Sequence, residues 1–142
     1  MRQIIGALLI VCAGVARAAD TPTPGLYSVY LEMESSLPIP VAPQTVTQCY
    51  TEEHFDQDPT KIVALQDGSG DDCEVISYSM GDGVMAMQML CQTGAGEMAM
   101  VTEGTYDDDS FAFVSRMEVQ AQGMTMEMTA NNRGTRVGDC EG

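Results

Sequence analysis

"CEVISYSMGDGVMAMQMLC", residues Cys73–Cys91, decides how the rest of the chain is read. Two alternating runs flank Gly81-Asp82-Gly83, the pattern of a β-hairpin. Asp-Gly favours a two-residue type I′ turn, because both central residues need positive φ. With Asp82-Gly83 as that turn, Met80 faces Met85, Tyr78 faces Met87 and Ile76 faces Met89. Ser79 then faces Ala86 and Ser77 faces Gln88 on the opposite side. One face of the hairpin is apolar and the other largely polar. A three-residue turn would set Cys73 opposite Cys91, but it would pair Ser77 with Met87 and Ser79 with Met85. A one-residue slip reverses every face, so the cleaner segregation is expected to win. In that register Cys73 and Cys91 point to opposite faces. The expected disulfides are therefore Cys49–Cys73 and Cys91–Cys140.

The same alternation extends outward in both directions. Upstream, "LYSVYLEME" places Tyr27, Val29, Leu31 and Met33 on one face and Ser28, Tyr30, Glu32 and Glu34 on the other. That is a strand with one wet side. "SSLPIPVAP" carries three prolines, which excludes a central strand or a helix and leaves a loop. "QTVTQCY" is a second, short strand. Helix signals are confined to the next stretch: Thr51 is a cap for "EEHF", and Asp58-Pro59 a cap and first-turn pair for "PTKIVAL". "QDGSGDDC" follows as a connector. Downstream, "GEMAMVTEGTY", "FAFVSRMEV" and "MTMEMTANNRGTRV" read as strands joined by turns at Asp107–Ser110 and Gln122-Gly123. Phe111, Phe113, Met117 and Val119 share a face, as do Met124, Met126 and Met128. Short alternating strands with tight turns imply an antiparallel meander. Open edges invite aggregation, so the sheet should form a small barrel or a strongly curved half-barrel, with one short helical excursion.

The N-terminus stands apart from this pattern. "MRQIIGALLIVCAGVARAAD" has an early Arg2, an apolar run from Ile4 to Ala16, and the small-residue pattern Ala16-Arg17-Ala18. This is a signal-peptide layout, residues 1–18, cleaved before Ala19 or one residue later. The run is too short to span a bilayer. Val11 before Cys12 is too bulky for a lipoprotein signal. Residues 19–25 then read as a mobile Thr/Pro leader, and 26–142 as a single β-rich domain.

Composition narrows the function. Residues 19–142 keep Lys61, Arg116, Arg133 and Arg136 against all 21 acidic residues. That balance argues against nucleic acid and anionic lipid surfaces as partners. Cys49, Cys73, Cys91 and Cys140 are an even set in a small exported chain, the mark of a disulfide framework in a periplasmic or secreted protein. A zinc site is not expected, since no C-x-x-C occurs and His54 is the single histidine. Beside Glu52 and Glu53, His54 reads as a solvated helix face. Asp67, Ser69, Asp71 and Asp72 resemble half a calcium loop, but Tyr78 stands where the closing glutamate belongs. Asp107–Asp109 read as a solvated turn. No catalytic residues and no cofactor are expected, and the glycine pairs are turn glycines rather than a phosphate cradle.

These segments together, "PGLYSVYLEME", "PQTVTQCYTEE", "CEVISYSMGDGVMAMQMLC", "GTYDDDSF" and "GMTMEMTANNRGTRVGDC", resemble a family of small exported bacterial proteins, the domain of unknown function 3617. The resemblance spans Pro24 to Cys140. It rests on the Pro-Gly-Leu opening, the four cysteines, the Met-rich final strand and the terminal Gly-Asp-Cys. It implies an exported β-rich domain and supplies no activity or site residue.

The methionines carry the functional question. Met80, Met85, Met87, Met89, Met98, Met100, Met124, Met126 and Met128 fall in M-x-M runs or face one. Methionine is a poor strand former and specifies packing weakly, so its repeated use calls for a reason. Three readings remain. The first is an adaptable filler for a dry core. The second is the wall of a cavity for an apolar small molecule, a lipid or an apolar segment of an envelope protein, with Tyr78, Met87, Met89, Met126 and Met128 as the expected wall. The third is a Cu(I) site on Met124, Met126 and Met128, since soft metals choose soft ligands. The leading expectation is a non-enzymatic binding or structural module, neither a nucleic-acid binder nor an integral membrane protein.

Overall fold

A computed structural model describes residues 20–38, 40–55 and 72–141. Among them are seven antiparallel strands in one sheet: β1 Gly25–Ser35, β2 Gln44–Tyr50, β3 Asp72–Gly81, β4 Val84–Thr93, β5 Gly96–Tyr106, β6 Ser110–Ala121 and β7 Met124–Gly138. Their order is β2-β1-β7-β6-β5-β4-β3. β3 to β7 form the expected meander, and β1 then joins β7 and carries β2 on its outer side. Among the described residues β2 and β3 are the edges and do not pair with each other, so the sheet they form is an open half-barrel rather than a closed barrel. The expected signal peptide and the expected helix "PTKIVAL" lie outside the described residues.

The curvature is strong. In a flat sheet, seven strands about 4.8 Å apart would hold β2 and β3 roughly 29 Å from one another. Here Tyr50 of β2 and Met80 of β3 pack against the same core of Tyr27, Val29, Tyr106 and Phe111. Glycines on the concave face help. Gly104 sits opposite Phe113, and Gly134 opposite Phe111. A Cβ on Gly134 would collide with the Phe111 ring, and one on Gly104 with the Ala112 carbonyl and the Phe113 ring. Each ring lies over the glycine of its neighbouring strand, a pairing that lets a sheet bend tightly.

The turns form as their sequences dictate. Asp82 and Gly83 have φ of 52° and 77°, and Gln122 and Gly123 have 52° and 78°. Both are two-residue turns with two positive φ values, the geometry that suits right-twisted hairpins. Next to the first turn the expected register holds: Met80↔Met85, Tyr78↔Met87, Ser79↔Ala86 and Ser77↔Gln88.

Farther along, the register changes and the disulfide expectation fails. β3 bulges between Val75 and Ser77, so Ile76 is an extra residue, pushed out to 56 % exposure. Beyond it Val75, not Ile76, faces Met89, and Cys73 faces Cys91. A bulge adds one residue to one strand and thereby flips its remaining side chains. The two-residue turn and the Cys73–Cys91 pairing therefore coexist. The disulfides are Cys73–Cys91 and Cys49–Cys140, with Cα separations of 4.0 Å and 5.5 Å. They replace the expected Cys49–Cys73 and Cys91–Cys140. Cys49 lies near the end of β2 and Cys140 two residues past the end of β7, on either side of the start of β1, where Leu26 pairs with Cys49 on one side and Gly138 on the other.

Residues 20–24, expected as a free leader, are tied to the domain. The Tyr106 hydroxyl donates to the Asp20 carbonyl at 2.7 Å, and the Tyr27 hydroxyl to the Thr23 carbonyl at 2.7 Å. Thr23 N–H donates to the Asp108 carbonyl at 2.8 Å, and Arg136 Nε to the Pro24 carbonyl at 3.1 Å. Pro22 is fully buried. This segment straps one end of the half-barrel.

Candidate functional site

Every methionine after Met1 projects from the concave face. The strand pairings align that face in rows across the sheet. One row runs Tyr106–Phe111–Gly134–Val29. The next runs Met80–Met85–Gly104–Phe113–Asn132–Leu31, and a third Tyr78–Met87–Thr102–Ser115–Ala130–Met33. The fourth is Val75–Met89–Met100–Met117–Met128, and the fifth Cys73–Cys91–Met98–Val119–Met126. The face thus grades from aromatic rings at the strapped end to thioethers at the other.

A cavity of about 280 Å³ opens between the second and fourth rows. Its walls are Met80, Met85, Met87 and Met100 on one side and Phe111 and Phe113 on the other. Tyr78, Tyr50 and Phe55 reach in from the two edges. Phe111 and Phe113 stack at 4.9 Å with an 11° interplanar angle. Tyr50 is the hub of the rim: Tyr27, His54, Phe55 and Phe111 all lie within 5.5–5.7 Å of its ring centre.

The short 3-10 turn Glu52–Phe55 presents Phe55 to this rim. His54 is not merely a solvated face, as expected, but part of its cap. Thr51 N–H donates to His54 Nδ1 at 3.1 Å, and His54 N–H donates to the Thr51 carbonyl at 3.1 Å. The imidazole takes the place that a glutamate holds in a capping box.

Few polar groups face the cavity. Thr102, only 6 % exposed, has its hydroxyl 2.8 Å from that of Ser115. Asn132 adds an amide, and the Tyr78 hydroxyl donates to the Met80 sulfur at 3.2 Å. None of the lining side chains carries a charge, although the full chain has a formal net charge of −15. Burial pushes the phenol of Tyr50 above its ordinary value of 10.0, so it stays protonated at neutral pH.

The five residues expected to form a wall are placed differently. Tyr78 and Met87 line the cavity. Met89, Met126 and Met128 share its face without lining it: Met89 and Met128 stand in the fourth row with Met100, Met126 in the fifth, and Met89 is buried among Met87 and Cys91. The residues that sequence reasoning did not single out are Tyr50, Phe55, Phe111, Phe113, Thr102 and Ser115. A second hollow, about 370 Å³, lies among Ala99, Val101, Arg116, Glu118, Glu127 and Thr129 of the convex side, and Met117 and Met128 also border it. It is a dent in a charged surface, next to the exposed Arg116–Glu103 pair at 3.4 Å, and no set of groups converges on it.

The acidic turn is self-satisfied. Asp109 N–H and the Ser110 hydroxyl donate to the Asp107 carboxylate at 3.0 Å and 2.9 Å, which holds it below its ordinary 3.8. Among the described residues no group of three or more His, Cys, Asp or Glu side chains is placed to hold a metal ion.

Fold and site together define a small disulfide-stapled half-barrel with an uncharged, methionine- and aromatic-lined hollow. Residues 22–140 match the family described as protein of unknown function, DUF3617, and the chain belongs to it. No curated protein and no solved structure matches the chain. Two disulfides agree with an oxidising compartment. Among the described residues no helix is long and apolar enough to cross a membrane.

Proposed function

We propose that this is an exported, non-enzymatic binding module whose concave face holds a neutral, largely apolar molecule carrying one hydrogen-bonding group. The observation that carries this reading is the convergence of apolar side chains from five strands and the 3-10 turn on one uncharged hollow with a single Thr–Ser hydroxyl pair at its floor. Ligand pockets are mostly apolar, with a few placed polar groups that orient the guest. At about 280 Å³ the hollow is at the small end of that range, which fits a small aromatic or a short acyl segment rather than a whole lipid. Methionine suits such a wall, since its thioether side chain adapts to the guest. The Thr102–Ser115 pair offers both donor and acceptor capacity. The signal-peptide layout and the two disulfides support export to the periplasm or beyond.

The test uses N-phenyl-1-naphthylamine, a neutral apolar fluorophore. The protein should take it up with a blue-shifted emission. Ser115→Phe, which fills the hollow, should abolish uptake, while Thr129→Phe on the convex face should leave it unchanged. Equal uptake by both variants, in chains that unfold at the same urea concentration, would refute the proposed site.

A further inference from the structure

We propose that the fourth row of the concave face holds a thioether site for a soft monovalent cation, Cu(I) or Ag(I), formed by Met100, Met117 and Met128. The first argument is the distribution of residue types. The convex face uses branched aliphatic residues freely: Val84, Leu90, Val101, Val114 and Val137. By register no methionine falls on that face, although Met117 and Met128 border its hollow. On the concave face methionine takes three positions of β4 and of β7, two of β5 and one of β6. Apolarity alone does not account for that choice, since valine and leucine serve the same strands on the other side.

The second argument is register. Met89↔Met100, Met100↔Met117 and Met117↔Met128 are successive direct partners on β4, β5, β6 and β7. Direct cross-strand neighbours stand about 5 Å apart at Cβ. Met124, Met126 and Met128, adjacent in sequence, are about 7 Å apart along one strand. The row, and not the run, sets three thioethers on directly neighbouring strands, within the reach of flexible side chains. Met89 is locked in the core at 3 % exposure, whereas Met100, Met117 and Met128 are half-buried and retain the freedom to reorient.

The third argument is chemical competition. Soft thioethers select Cu(I) over the harder divalent ions. Among the described residues all four cysteines are bonded, so none of them offers a thiolate to outcompete the methionines. The strongly acidic chain concentrates cations at its surface, which favours entry of a monovalent ion into a neutral ligand set. Met100 also lines the aromatic-end cavity, but Met117 and Met128 do not, so substitutions at Met117 and Met128 test the cation site with the cavity's lining intact.

The experiment titrates Ag(I), a redox-stable probe, and Cu(I) under ascorbate into the disulfide-intact chain labelled with 13C-methyl methionine. One equivalent should bind and shift the methyl signals of Met100, Met117 and Met128. Met117→Leu and Met128→Leu should each lower affinity about tenfold or more, the scale on which even indirect damage to a metal site acts. Both swaps conserve volume and should leave the urea midpoint nearly unchanged. Met124→Leu and His54→Gln should bind as the parent does. Failure to bind one equivalent, undiminished binding by both row variants, or an equal loss in Met124→Leu or His54→Gln would each overturn the assignment.

Discussion

The two ends of the concave face are built from the same strands by opposite means. At the strapped end, rigid rings lie over glycines, four hydrogen bonds fix residues 20–24 across the opening, and Cys49–Cys140 joins the strands flanking β1. At the far end, flexible thioethers fill the surface, Met124 is 67 % exposed, and Cys73–Cys91 pins only an edge hairpin. Shape at the first end is set by collision limits, and at the second by an adaptable side chain. The cavity lies where the two meet, with rings on one side and methionines on the other. A fixed wall facing a compliant one is suited to holding a guest of definite size whose outline is not fully prescribed.

If this contrast is correct, perturbations at the strapped end cost far more. The largest effect is expected from Cys49→Ala with Cys140→Ala. The bridge spans a sequence separation of 91, for which loop entropy gives about 4–5 kcal/mol. Removing Cys73–Cys91, with a separation of 18, should cost about 3 kcal/mol. Urea unfolding of both double variants checks the order, and a reversed order would break the comparison. Gly104→Val comes next. Its side chain meets backbone as well as the Phe113 ring, so about 3 kcal/mol is expected, with loss of probe uptake. Smaller again is Met126→Leu at the other end, a volume-conserving swap expected to cost under about 1 kcal/mol.

The pH response sharpens the contrast without mutation. Burial raises the phenol pKa of Tyr27, Tyr50 and Tyr106, all at the strapped end. A raised folded pKa means that the unfolded chain loses its protons first. The stability these groups contribute is complete below about pH 10 and is lost as pH rises through their folded values. Amide exchange followed from pH 8 upward should show β1 and β2 opening before the row Met89–Met128. Simultaneous opening of both ends would show that they do not behave as separate regions.

Much of this architecture was legible in the sequence. Alternation located the strands, Asp82-Gly83 and Gln122-Gly123 declared their turns, and the methionines were assigned to one face. The disulfide pairing was not legible, because it depends on Ile76 leaving the ladder. Nothing local in "CEVISYS" marks that residue as supernumerary, and the cost of exposing it is offset by the Cys73–Cys91 bond it permits. The wall was half legible for a related reason. Periodicity assigns a side chain to a face but not to a position along it, so Met126 and Met128 were grouped with a cavity that they do not line. One signal was present and unused. Gly104 and Gly134 are isolated glycines inside strand patterns, which implies close approach by another group, and phenylalanines two residues apart at 111 and 113 are what approach them.

The most direct test of the central claim is native mass spectrometry of the disulfide-intact protein, recovered from cells without reductant or detergent, alongside Ser115→Phe. The account predicts a non-covalent organic adduct, small and uncharged, on the parent chain and its absence from the variant. A parent chain that carries no adduct and takes up no neutral apolar probe would contradict the account, and the methionines would then be packing alone.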